Sequence, residues 1–256
     1  MTRSRAPVVV TVLVLAFLYV PIAVLVTGSF NASRYGGSWE GFTLDWYRRL
    51  AGEREIWDAV RNTLVVGVGA TAVATLLGTL AGLAVHRWPG RLQRVHLTLL
   101  SAPLVMPEIL MGMGLLLTFV ALAVPLGLFT IFLAHVTFSL GYVATVVLAR
   151  LQDFDWQLIE AAQDLGASPW AATRRVLLPL LAPGIAAGAL LAFTLSVDDF
   201  VITFFVAGPG TTTLPLRIYS MIKHGSPPLI NALSTLLLLV TTTTVWLSQQ
   251  LLKESR

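Results

Sequence analysis

Residues 160–185 read EAAQDLGASPWAATRRVLLPLLAPGI, a polar helix, turn and helix set inside a chain otherwise built for lipid. Asp153 and Asp155 offer an N-cap and first-turn negative charge, 156–165 carries a helical pattern, and Gly166 supplies the left-handed residue that commonly ends a helix. Ser168 followed by Pro169 matches a second N-cap with proline at the first helical position. A second helix is therefore expected over 169–178, with Pro179 and Pro183 stopping and redirecting the chain behind it. Glu160 and Asp164, four residues apart, share one face of the first helix. A polar knob of this kind between apolar segments has to contact something in the water phase.

The rest of the chain sets the solvent. With 56% hydrophobic residues, 12% charged and a mean hydropathy of +0.79, the 256 residues are too apolar for a soluble domain, which carries about 25% charged residues. The composition is that of an integral membrane protein. Runs of about 20 apolar residues fall at 8–28, 62–85, 97–122, 125–148, 183–206 and 229–252. Each can cross a bilayer as a helix whose backbone hydrogen bonds close internally. The whole chain, 1–256, is thus expected to be one transmembrane domain, all-α, with six spans and a cytosolic loop at 153–185.

The first run follows Arg3 and Arg5, but its apolar core exceeds the roughly 7 to 15 residues of a signal peptide, so an uncleaved span is expected. Orientation follows from Lys and Arg in short loops. With the N-terminus in the cytosol, the inner loops hold ten: Arg3, Arg5, Arg87, Arg91, Arg94, Arg150, Arg174, Arg175, Lys253 and Arg256. The outer ones hold six, Arg34, Arg48, Arg49, Arg54, Arg217 and Lys223, with Arg61 at a boundary. Both termini and the knob are therefore expected on the cytosolic side. Because the basic residues sit beside spans, the pI near 9.8 reflects topology rather than nucleic-acid binding. There is no cysteine, which excludes disulfides and thiolate chemistry.

Between the spans, 29–60 is long, polar and aromatic, with Trp39, Phe42, Trp46, Tyr47 and Trp57, and its 56–60 end is expected to start a helix along the membrane surface. Pro89-Gly90 marks a tight basic turn within 86–96. The third and fourth runs, separated only by 123–127, form a hairpin. Gly78-x-x-x-Gly82 is a close-packing surface, and Pro103, Pro107 and Met111-Gly112-Met113-Gly114 are expected to kink the third span.

Acidic residues inside the spans are the chemical signal. Glu108 lies about eleven residues into the third run, roughly 17 Å, and Asp198 and Asp199 about fifteen into the fifth, roughly 22 Å, at about 1.5 Å per residue. An aspartate near a helix centre costs on the order of 2.5–3.5 kcal/mol on insertion scales. No Lys or Arg lies inside any run, so an internal ion pair has no strong cation, and His135 reads as a neutral hydrogen-bonding residue. Unpaired carboxylates on a water-filled path attract cations. Neighbouring positions on a helix diverge by about 100°, so Asp198 and Asp199 are expected to do different jobs, and spacing does not say which one faces the path.

Glu160-Ala161-Ala162, Leu165-Gly166-Ala167, Val176, Leu178-Pro179 and Pro183-Gly184-Ile185 have the spacing of the EAA loop, and the chain resembles the EAA-loop family of permeases of bacterial ABC importers. Thr173 departs from it, standing where a bulky apolar residue is usual. Ser29-Phe30-Asn31, Gly41-Phe42-Thr43, Trp46-Tyr47, Pro107-Glu108-Ile109, the stretch TLSVDD at 194–199, Gly208-Pro209 and LPLRIYSM at 214–221 are similar to the second permease subunit of spermidine/putrescine importers. The resemblance implies the type I importer permease fold, with Glu160, Ala161, Ala162, Asp164, Leu165, Gly166 and Ala167 coupling to an ATPase. It also implies that Trp46, Glu108, Ser196, Asp198 and Asp199 occupy positions of substrate passage. For Trp46, an interfacial role and cation stacking both stay open. Pro169 stands where relatives can carry an acidic residue, so no charge role falls there. A polyamine, with ammonium groups spaced by methylenes, suits spaced carboxylates with aromatic faces between them, whereas a metal ion wants a tight oxygen cluster.

The chain has no nucleotide site of its own. A phosphate-binding loop needs Gly-x-x-x-x-Gly-Lys, and the two lysines, Lys223 and Lys253, follow Ile222 and Leu252. The expectation is a non-catalytic subunit that binds no cofactor or metal. It is expected in the bacterial inner membrane, surrounded by lipid, with ATP and magnesium used by an ATPase dimer inside, a polyamine-binding protein outside and a second permease alongside. The alternatives are an importer for an amino acid, sulfate or ferric iron, and more remotely a cation channel or proton-coupled carrier.

Overall fold

The structure, a computed structural model, describes residues 6–35, 37–88, 90–225 and 227–254, with the backbone alone at 6, 91, 224, 227, 245 and 247–254. Arg3, Arg5, Pro89 and Arg256 lie outside the described residues. The chain divides into two compact units, 1–57 with 217–256, and 58–216.

In the first unit, α1 (Ala6–Gly28) is apolar on every side, and its most apolar stretch buries nothing within the subunit. A helix without a polar face is stable in lipid or against other helices, not in water. Gly28 passes close to Asn231 on α12 (Pro227–Glu254). The loop that follows is tied by Asn31, whose Oδ1 accepts from the N–H groups of Ser33 (3.1 Å) and Glu40 (3.0 Å) while Nδ2 donates to the Ser38 carbonyl (2.7 Å). Phe30 stacks on Phe42 beyond a bridge between Asn31 and Phe42, and α2 (Asp45–Gly52) follows. The helix expected to begin near residue 56 on the membrane surface is instead the first turn of α3 (Arg54–Arg87), a single helix of 34 residues that continues into the second span.

The second unit is organised around α6 (Leu128–Gln152). Helices in lipid gain little from hydrophobic burial and pack through small residues. Gly78 and Gly82 do this inside the chain: a Cβ at Gly78 would stand 2.8 Å from Val143, and one at Gly82 3.2 Å from Val147. On another face, Gly141 meets the Leu100 carbonyl of α4 (Arg91–Val105). Gly188 of α9 (Leu178–Asp198) packs on Val143, and Val143, Val147, Leu151, Leu177, Leu181 and Ala192 form one core there.

Among the described residues, four helices are long and apolar enough to cross a bilayer, Pro7–Gly28, Arg54–Arg87, Leu128–Gln152 and Pro169–Asp198. The expected third span is a pair, α4 and α5 (Glu108–Ala121), bent by 110°, which makes a fifth crossing if the pair is one span. The sixth expected run lies within α12, whose apolar stretch Pro228–Thr244 is shorter. The kink expected in the third span is thus a break. Pro107 has no N–H to donate, and it drives Met106 into an extended conformation (φ −71°, ψ 132°).

Two expectations for the fifth span fail in opposite ways. Pro179 and Pro183 do not stop the chain: α8 (Pro169–Ala172), a π-helical turn (Thr173–Leu177) and α9 run on as one helix to Asp198. The wider turn, closed by Leu178 N–H on the Thr173 carbonyl, takes up the clash and the missing donor of Pro179. The helix expected to continue to residue 206 ends instead at Asp198, and a short α10 (Val201–Val206) follows.

Candidate functional site

The two breaks put acidic residues at helix ends. Glu108 is the first residue of α5 and Asp198 the last of α9, and both line one cavity of about 440 Å³. Met106, Pro107, Phe138, Tyr142 and Phe200 share the lining, which contains no Lys or Arg. Both carboxylates are exposed in the isolated subunit. Their electrostatic settings differ. At a helix N-terminus the backbone dipole stabilises the Glu108 carboxylate, whereas at a C-terminus the partial negative charge of the helix adds to that of Asp198. The potential near Asp198 is therefore the more attractive to a cation. Among the described residues no group of three or more His, Asp or Glu side chains could hold a metal ion.

Asp199 and Ser196 are not presented as Asp198 is. Asp199 also lines the cavity, but its side chain is only 6% exposed. Its Oδ2 accepts from the N–H of Thr203 (2.8 Å) and the Thr203 hydroxyl (2.7 Å), and its Oδ1 from the N–H of Ile202 (3.3 Å). These bonds satisfy the first amides of α10, the role of a helix cap. The Asp199 carboxylate also has the partner that the sequence did not reveal: His135 Nε2 lies 3.3 Å from Oδ2. Ser196, 3% exposed, has its hydroxyl 2.6 Å from His135 Nδ1. Both side chains thus belong to a buried network with His135 and Thr203. Sequence reasoning read His135 as a hydrogen-bonding residue without finding its partners, and it passed over Thr203.

Trp46 belongs to the other unit. Its indole N–H donates to the Asn31 carbonyl (2.8 Å), and the Arg49 guanidinium sits 5.0 Å from its ring centroid. A cation of the chain's own thus occupies that ring.

The polar knob is built as a pair of short helices. Asp155 Oδ1 accepts from Gln157 N–H (3.0 Å) at the start of α7 (Gln157–Asp164). Gly166 (φ 89°) ends it through Gly166 N–H to Gln163 O (2.8 Å) and Ala167 N–H to Ala162 O (3.0 Å). Ser168 Oγ then caps α8 at Ala171 N–H (3.2 Å). The inner face is anchored by Phe154, Trp156 and Ile159 on the core around Leu151 and Leu177, and by Trp156 stacked on His86. Glu160, Ala161, Asp164, Leu165 and Gly166 are exposed, Leu165 to 89%, while Ala162 and Ala167 are half-buried. Thr173, the residue out of pattern, donates to the Pro169 carbonyl (2.9 Å) where the π-helical turn begins.

The family model described as binding-protein-dependent transport system inner membrane component matches residues 74–252. The chain belongs to that family. It is a permease subunit and not an enzyme. This permease is 41% identical over 239 residues to the spermidine/putrescine transport system permease protein PotC of Escherichia coli strain K12, covering 93% of this chain and 90% of that one. It is 43% identical over 244 residues to the putrescine transport system permease protein PotI of the same organism, covering 92% and 86%. Its fold is that of type I ABC importer permeases. A chain of a bacterial ABC transporter that imports the acidic polysaccharide alginate superposes with a TM-score of 0.75 over 98% of both chains, at 15% identity.

Proposed function

We propose that this permease forms half of the translocation path of an ATP-driven importer for polyamines of the spermidine and putrescine kind. The observation that carries this reading is the cavity shared by Glu108 and Asp198, two exposed carboxylates with Phe138, Tyr142 and Phe200 in the same lining and no basic side chain. A flexible polycation is held there by charge at both ends and by aromatic faces along its methylenes. The relatives named for spermidine and putrescine transport support the same cargo.

The remaining parts follow from the family. A polyamine-binding protein delivers cargo from outside, and a second, unlike permease completes the path. Residues 160–167 dock on an ATPase dimer that uses ATP and magnesium, while this chain binds neither a cofactor nor nucleic acid. The subunit crosses the bacterial inner membrane with both termini in the cytosol. ATP-driven closure of the ATPase moves the knob, the spans open outward to take the cargo, and hydrolysis returns them inward, an alternating-access cycle.

The test is uptake by the complete complex in proteoliposomes supplied with labelled spermidine and ATP. Uptake competed by putrescine, and not by sulfate or a neutral amino acid, is the expected result. Competition by sulfate or an amino acid in place of putrescine would overturn the polyamine assignment.

A further inference from the structure

One imidazole spans the whole break in the fifth span. His135, on α6 and 1% exposed, reaches Ser196 in the last turn of α9 (2.6 Å), Asp199 in the break (3.3 Å) and Thr203 in the first full turn of α10 (3.0 Å). The hydrogen bonds close with a single ring proton, placed on Nε2. The Ser196 hydroxyl then donates to Nδ1, the Nε2–H donates to the Thr203 hydroxyl and the Asp199 carboxylate, and the Thr203 hydroxyl donates to Asp199. Every group has a partner and none is left over, which is what burial of a polar network demands.

We propose that His135 is a positioning residue for transport: it holds the break between α9 and α10 so that, of the two adjacent carboxylates lining the cavity, that of Asp198 is exposed and that of Asp199 stays buried. This rests on reading the cavity as the cation path. Asp198 and Asp199 are consecutive, so the backbone torsions at the break decide which carboxylate faces inward. The cap that Asp199 makes on Ile202 and Thr203 favours the observed arrangement from the α10 side. His135 holds the same carboxylate from the α6 side, as the buried partner that Asp199 alone meets. Asp199 and Ser196 therefore act on cargo through the position of Asp198 and not by contact.

The chain has no cysteine, so a thiol placed at 198 is its only one. In the assembled complex, Asp198→Cys is expected to react readily with a small cationic thiosulfonate and to be protected by spermidine. With His135→Ala added, the reaction slows by about tenfold, the equivalent of one charged hydrogen bond in the position of the loop. Two isosteric variants separate positioning from general packing. The His135→Gln amide reaches where Nε2 lies and keeps Asp199 held, whereas the His135→Asn amide reaches only where Nδ1 lies. Labelling at 198 is therefore retained in the glutamine variant and lost in the asparagine one. In transport, His135→Asn raises the KM for spermidine about tenfold with a smaller change in maximal rate. Asp198→Asn then adds little to it, since the two act on one interaction.

Equal labelling in the glutamine and asparagine variants, or fully additive effects of His135→Asn and Asp198→Asn, would overturn the proposal. The cavity reading fails separately, by normal uptake in Asp198→Asn alone, and the labelling comparison still decides the role of His135.

Discussion

The third and fifth spans are both broken beside a carboxylate of the same cavity, but by different physics. At Pro107 the break begins in the covalent structure: a missing N–H and a bulky ring disfavour continuation of the helix and push Met106 into an extended conformation. At Asp199 no proline is present; the Asp199 carboxylate satisfies the first amides of α10 and is itself held by His135 and the Thr203 hydroxyl. Glu108 therefore stands on a fixed end, and Asp198 on one held by side chains. Of the two sides of the cavity, the fifth-span side is the one that depends on side-chain contacts between helices.

The largest effect that separates the two is expected from Asp199→Ala. It leaves the first amides of α10 and the buried His135 without their acceptor, at about 3 kcal/mol, and lowers the melting temperature of the purified complex by several degrees. Asp198→Ala, one residue earlier and exposed, should leave it unchanged. Equal melting temperatures for the two would erase the distinction.

Pro107→Ala is the corresponding substitution on the other side. It restores a donor and removes the ring, shifting the balance toward a continuous helix by about 3 kcal/mol. Spin labels on α4 and α5 should then move apart relative to the parent, and uptake should fall. If the 110° bend survives unchanged, packing of Met111 and Phe119 of α5 in the core with Ile131, Phe138 and Ile202 holds it, and the break is not the work of the proline.

A smaller effect, confined to transport, is expected at Asp198 itself. Asp198→Asn keeps shape and removes charge, so uptake of spermidine at low concentration should drop about tenfold, the equivalent of about 1.4 kcal/mol, with stability and assembly unchanged. Glu108→Gln, on the fixed side and beside a favourable helix N-terminus, should cost less. A larger loss at Glu108 would reverse the assignment of the stronger cation site to the α9 end.

The knob was legible because its signals are local. Ser168-Pro169 and Gly166 act on amides within three or four residues, and sequence carries that distance. The break at Pro107 was half legible: proline announces a kink, but whether it becomes a 110° turn depends on what α5 packs against. The break at Asp199 was not legible, since it depends on His135, 64 positions upstream. Nothing in the sequence couples those two positions. For the same reason Asp198 and Asp199 could not be told apart by spacing, which treats both as points on one continuous helix that the structure interrupts between them and α10. Pro179 misled in the other direction, because a π-helical turn lets a helix absorb a proline that composition marks as a stop.

Trp46 marks the lower limit of the comparison, since it belongs to neither break. If its ring were a stacking platform for cargo, Trp46→Phe would weaken the cation contact, for tryptophan is the best of the aromatic faces. The ring already carries the Arg49 guanidinium at 5.0 Å, and its N–H is bonded to Asn31. Phenylalanine keeps the apolar contact and loses one neutral hydrogen bond, about 1 kcal/mol of local stability. The KM for spermidine is therefore expected to stay within about twofold of the parent, in contrast to the change at Asp198. A rise of about tenfold would move Trp46 from a strut of the external loop to the cargo path, and a carboxylate cavity in the other unit would then no longer account for cargo recognition by itself.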